Sequence, residues 1–170
     1  MPAADNAETG DAALRDLAAA LGSALLEEGI RLAAAESCTG GWIAKVLTDI
    51  PGSSQWFEAG FVTYSNDAKV RMLGVAQATL DADGAVSEAV VREMAAGACR
   101  AAGTAAAVAV SGVAGPGGGS PDKPVGLVHF SWCLRDRDWA SHAMLSGDRE
   151  AVRRQSVGIA LRSLLDALSG

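Results

Sequence analysis

Aromatic side chains are scarce in this chain, only 5% of residues against 49% apolar overall, while alanine and glycine are abundant. A core of this composition rests on small side chains at close helix–sheet contacts rather than on large rings. Cysteine is equally sparse: Cys38, Cys99 and Cys133 are an odd set with no C-x-x-C spacing. That excludes a disulfide framework and a structural zinc site, and a reducing cytoplasm is the expected compartment. The only two histidines, His129 and His142, lie in neither an H-E-x-x-H nor an H-x-E context, so no metal and no other cofactor is expected. Basic residues number 14 against 20 acidic ones, a net charge of −6. The balance argues against a broad nucleic-acid surface and leaves room only for a local basic pocket. No apolar run approaches the ~18 residues of a membrane span. The polar, acidic start of the chain lacks the apolar stretch of a secretory signal.

What is present reads as one α/β domain over residues 11–170 behind a disordered tail, residues 1–10. Leu14, Leu17, Leu21 and Leu25 recur at helical spacing over Asp11–Glu28, with Gly29 as the stop. Strands are expected at Arg31–Glu36, Phe57–Tyr64 and Ala105–Val110, the last all apolar and so buried on both faces. Helices are expected at Trp42–Ile50, Ser65–Leu73, Glu88–Ala102 and from Asp148 to Leu168, the last buried through Val152, Ile159, Leu161 and Leu165. Val75–Gly84 reads as a loop or short helix. Val125–Leu134 and Trp139–Leu145 form a hairpin across Arg135–Asp138. Helices interleaved with strands, plus a late hairpin, indicate a three-layer α/β/α sandwich around a mixed sheet.

Chemistry concentrates at Glu36-Ser37-Cys38-Thr39-Gly40-Gly41, where an apolar strand gives way to a helix. Ser37 and Cys38 are candidate nucleophiles on that turn, and the N–H groups of Thr39, Gly40 and Gly41 are candidate donors to an oxyanion. The same residues also suit a plain helix cap. Tyr64, the only tyrosine, and Lys69 flank a second strand-to-helix junction, and strand ends are where open α/β sheets carry function. Brought together and partly desolvated, phenol and amine alter one another and either can take a proton from a serine. Alone, they are a polar-tipped ring and a solvated lysine. Ser111 to Ser120 is the longest glycine concentration. It matches neither a Walker A loop nor a dinucleotide fingerprint, yet it offers close backbone approach. Arg149 and Arg153 share a helical face and suit a phosphate, with a Glu150–Arg154 pair as the ordinary alternative. The turn Pro51–Ser54 is either a simple reversal or a source of pocket hydroxyls through Ser54.

Five segments in this order, Ala35–Gly41, Gly60–Asn66, Gly84–Glu88, Ser111–Pro116 and Gly147–Arg149, make the chain resemble the CinA C-terminal domain family over roughly residues 14–168. The resemblance implies that family's α/β fold. It also implies the activity of its stand-alone members, nicotinamide-nucleotide amidohydrolases, which convert nicotinamide mononucleotide to nicotinate mononucleotide and ammonia in pyridine-nucleotide salvage. A Ser/Tyr/Lys catalytic set then falls on Ser37, Tyr64 and Lys69. The substrate's phosphate and ribose fall to Arg149 and to the loop through Ser111, Gly112, Gly115 and Gly117. Relatives often carry threonine where this chain has Ser111, so the hydroxyl is kept. The larger N-terminal domain of full-length CinA proteins is absent from this sequence, and its activities are expected to be absent too. A small-molecule pyridine mononucleotide is the expected partner, with a homo-oligomeric assembly. The competing expectation is a non-catalytic nucleotide-binding regulatory module of the competence and DNA-damage response.

Overall fold

Residues 9–170 are described by a computed structural model, so the expected tail, apart from Thr9 and Gly10, lies outside the described residues. The leucine-spaced segment forms helix α1 (Asp11–Glu28), and Gly29 at φ 64° closes it by donating to Leu25 O and Leu26 O. Strand β1 (Leu32–Glu36), helix α2 (Trp42–Thr48) and strand β2 (Phe57–Val62) follow. Helices α3 (Asn66–Leu73), α4 (Gln77–Asp83) and α5 (Glu88–Ala102) precede strand β3 (Ala106–Gly112). The hairpin β4 (Leu127–Leu134) and β5 (Arg137–Met144) leads to α6 (Arg149–Ser169). Three side chains start three of these helices: Ser65, Ser87 and Asp148 accept from Ala68 N, Val90 N and Ala151 N.

The sheet order is β2-β1-β3-β4-β5, with β1 parallel to both β2 and β3, and β4 antiparallel to β3 and β5. This is the expected mixed sheet, and its two faces are covered as expected. Leu32, Ala34, Val108 and Phe130 face a core shared with α1, α2 and α6. Ala33, Ala35, Ala107 and Ala109 face a second core with Leu73, Val90, Val91 and Met94. All five residues of β1 are buried, four of them Leu or Ala, so the layers approach closely. The small-residue argument holds most tightly at Gly97 on α5, where a Cβ would lie 1.9 Å from the Leu73 carbonyl oxygen at the end of α3.

Two strand limits and one helix face differ from the sequence expectation in ways that bear on the fold. Strand β3 runs on through Ser111 and Gly112, because both pair with β4 opposite His129 and Val128. The hairpin turn is only Arg135-Asp136, Arg135 at φ 55°, because β5 is an edge strand on which Arg137 and Asp138 meet water without leaving the ladder. Val75–Gly84, expected as a loop or short helix, holds the short helix α4. On α6, Leu164, Val157 and Ala160 are buried while Ile159 and Leu165 are only partly so, a rotation of the apolar face from the expected one. No helix among the described residues is long and apolar enough to cross a membrane.

Candidate active site

Because β2, β1 and β3 run parallel, their carboxyl ends open on one edge of the sheet. Ser37 follows β1, with its N–H on Val110 O at 3.0 Å, Tyr64 stands two residues beyond β2, and Ser111 lies at the end of β3. Lys69 approaches from α3. Its ammonium-bearing chain is 1% exposed, and Nζ lies 3.0 Å from Ser37 Oγ and 2.8 Å from the Thr63 carbonyl oxygen. Burial pulls this amine below the usual lysine value of 10.5, against an opposing effect of the neighbouring Cys38. A buried amine with a lowered proton affinity, touching a serine hydroxyl, is an arrangement in which a lysine can take that hydroxyl's proton.

The residue before the serine explains why the turn holds its shape. Glu36 is fully buried at the end of β1, and its carboxylate accepts from Thr39 Oγ1 at 2.7 Å, Ile43 N at 2.8 Å and Ala44 N at 3.0 Å. Ile43 N and Ala44 N are orphan donors at the start of α2, so the cap comes from Glu36 and neither Ser37 nor Thr39 serves as one. Sequence reasoning missed this role. The available signal was an acidic residue closing an otherwise apolar, doubly buried strand.

A cleft of about 210 Å³ is lined by Ser37, Cys38, Tyr64, Lys69, Ser111 and Gly112 together with Asn66, Ala85, Val86, Ala114 and Arg149. Arg149 spans its rim, donating to Gly115 O at 2.8 Å and to the Tyr64 hydroxyl at 3.0 Å. Tyr64 is 61% exposed and makes no hydrogen bond to Ser37 or Lys69 among the described residues. Serine and lysine are thus in contact, and the phenol stands apart at the rim. Ser111 is buried and its hydroxyl donates to Ala85 O at 2.8 Å. Cys38 is also buried, and loss of water raises its thiol to about 11, which leaves little thiolate at neutral pH.

Other expected contacts lie elsewhere. Thr39 is buried with its hydroxyl on Glu36, and Gly40 and Gly41 face a shallow hollow behind the turn beside Trp42 and Arg153. Gly40 N–H is committed to Ser37 O at 3.0 Å, which removes it from the expected oxyanion donors. Gly117 is exposed outside the cleft lining. Ser54 sits in the turn entering β2, where its carbonyl accepts from Arg31 at 3.1 Å. That is the opposite edge of a parallel pair, so Ser54 does not reach this cleft. A larger groove of about 910 Å³ between α1 and α6 has Asp16, Arg162 and Asp166 on its walls but no paired nucleophile and base. Among the described residues no cluster of three or more His, Cys, Asp or Glu could hold a metal ion.

A serine and a buried lysine joined at the carboxyl edge of a three-layer mixed sheet define the class: an α/β protein with a serine-centred polar cleft. The CinA C-terminal domain model matches residues 14–168, and the chain belongs to that family. It is 54% identical over 155 residues to nicotinamide-nucleotide amidohydrolase PncC of Escherichia coli strain K12, covering 91% of this chain and 94% of the relative. The protein of the same name from Pseudomonas putida is 54% identical over 149 residues, 88% of this chain and 93% of the relative. The crystal structure of competence/damage inducible protein CihA from Agrobacterium tumefaciens superposes with a TM-score of 0.89 at 44% identity, covering 95% of this chain and 97% of that one.

Proposed function

We propose that this chain hydrolyses the carboxamide of nicotinamide mononucleotide to nicotinate mononucleotide and ammonia, a reaction of pyridine-nucleotide salvage, with Ser37 as nucleophile and Lys69 as its base. The observation that carries this reading is the 3.0 Å contact between the buried Lys69 amine and Ser37 Oγ inside the cleft. The amidohydrolase activity named for the relatives from Escherichia coli and Pseudomonas putida supports the choice of substrate. A module that merely bound nucleotides would gain nothing from an amine desolvated against a serine.

Neutral Lys69 takes the hydroxyl proton as Oγ attacks the amide carbon. The tetrahedral oxyanion is met by N–H groups of the turn after Ser37. Lys69 then returns its proton to the departing nitrogen, ammonia leaves, and a nicotinoyl ester remains on Ser37. Water, deprotonated by Lys69, attacks that ester and releases the carboxylate and the restored serine. The pyridine ring and its amide enter the cleft. The ribose phosphate extends outward to Arg149 and the glycine loop, where the guanidinium fork suits a phosphate. Tyr64, its oxygen held by Arg149, directs its own proton toward the substrate from the rim.

Ammonia release from nicotinamide mononucleotide, measured beside nicotinamide and glutamine as controls, tests the reading. Release from the mononucleotide alone, lost in Ser37→Ala, is the expected result. No release by the wild-type chain, or undiminished release by Ser37→Ala, refutes it.

A further inference from the structure

The turn that carries Ser37 is gripped from behind by an arginine to which the chemistry above gives no task. Arg153, one helical turn beyond Arg149 on α6, donates Nε to the Cys38 carbonyl and Nη2 to the Thr39 carbonyl, each at 3.0 Å. Its guanidinium lies over the Trp42 ring, 5.3 Å from the centroid, which fixes the plane of the fork. The approach is close: a Cβ on Gly40, whose φ is 60°, would stand 3.3 Å from Arg153 Nη2.

In a trans peptide the C=O and N–H of one plane point in opposite directions. Holding the Cys38 carbonyl on Arg153 therefore turns the Thr39 N–H away from Arg153. Holding the Thr39 carbonyl does the same to the Gly40 N–H, which meets Ser37 O at 3.0 Å. Among the described residues Thr39 N–H has no acceptor, as is also true of Cys38 N–H and Gly41 N–H, and of these three it is Thr39 N–H whose peptide carbonyl partner Arg153 holds. We infer that Arg153 is a positioning residue: it sets the Cys38–Thr39 and Thr39–Gly40 peptide planes so that the backbone N–H of Thr39, whose side chain is turned onto Glu36, serves the reacting carbonyl as an oxyanion donor. The same fork keeps two carbonyl oxygens, each partially negative, from turning toward the developing oxyanion. This inference rests on the serine mechanism proposed above.

The test compares Arg153→Ala, Arg153→Lys and Arg154→Ala in the full chain, with nicotinamide mononucleotide as substrate. Arg154 stacks on the same Trp42 ring at 4.8 Å but donates to neither turn carbonyl, so it controls for the stack. Loss of one oxyanion donor costs about 10²–10³ in rate, and a donor left present but badly aimed costs about 10–100-fold. Arg153→Ala is expected to lose that much kcat with KM within about twofold. Added methylguanidinium should restore part of kcat in Arg153→Ala and in no other variant. Arg153→Lys, keeping the charge without the fork, should fall between. Unchanged kcat in Arg153→Ala, a loss confined to KM, or an equal loss in Arg154→Ala overturns the inference. Where Arg153→Ala does not fold by circular dichroism, Arg153→Lys decides, and wild-type kcat in it overturns the inference equally. A wild-type chain that releases no ammonia refutes the parent reading instead.

Discussion

The amine of Lys69 and the hydroxyl of Ser37 meet at 3.0 Å although they stand 32 positions apart in the chain. Residues that act as one unit lose activity together rather than additively. Ser37→Ala and Lys69→Met should each lower kcat for ammonia release by at least about 10³-fold, and the double variant should be no slower than the worse single one. Additive losses would dissolve the pair.

The burial that places Lys69 there sets a pH signature. Its proton affinity is lowered, so the neutral, active amine gains population below the usual 10.5. The acid limb of kcat/KM should rise with pH through an apparent value under 10.5, reporting the free enzyme. Stability follows the same sign. Between the folded and unfolded values the unfolded chain binds more protons, so stability rises with pH through that window. Measured against Lys69→Met, wild type should therefore gain relative stability as pH rises from 7 towards 10. Thermal melts of both proteins from pH 7 to 10 check this.

Arg149 and Tyr64 form the rim rather than the reacting pair. Arg149→Ala removes a fork suited to the phosphate and should raise KM about tenfold or more with kcat little changed. Tyr64→Phe should cost less than Lys69→Met in kcat, since the phenol touches Arg149 and not Ser37. Steady-state kinetics on the three variants gives the split.

The three thiols should separate by reactivity. The neighbouring Cys133 thiol lowers Cys99 to about 7 and is itself pushed up, while burial raises Cys38 to about 11. Iodoacetamide at pH 7.5, followed by peptide mass mapping, should label Cys99 well before Cys38 while ammonia release persists. Rapid labelling of Cys38 with loss of turnover would instead make the thiol the nucleophile.

Gly97 links the core to the site. A methyl there strikes the Leu73 carbonyl, and Leu73 ends the helix that carries Lys69. Gly97→Ala should destabilise the fold by about 1–3 kcal/mol and lower kcat through displacement of α3. Thermal melting beside turnover measures both effects.

Much of this architecture was legible in the chain because local signals and the fold agree. Ser65, Ser87 and Asp148 mark helix starts by chemistry that needs no tertiary partner, and Gly29 marks a stop. The limits of β3 and β5 were not, since Ser111 and Arg137 belong to strands only through pairing with β4. In the cleft, strand ends pointed to Ser37 and Tyr64. Nothing local distinguishes a lysine in water from Lys69 in the interior, because its burial comes from the neighbouring strand ends. Ser54 shows the converse. Its turn reads as polar, but only the parallel course of β1 and β2 reveals that it opens on the far edge.

Glu36 has a consequence for how a ligand is received. With its carboxylate fastened to the first turn of α2, Glu36 ties the backbone on both sides of the serine to one another. The substrate must come to the serine in the right pose. A crystal grown empty should therefore admit product by soaking without cracking, and the backbone from Glu36 to Ala44 should superpose before and after within ordinary coordinate error.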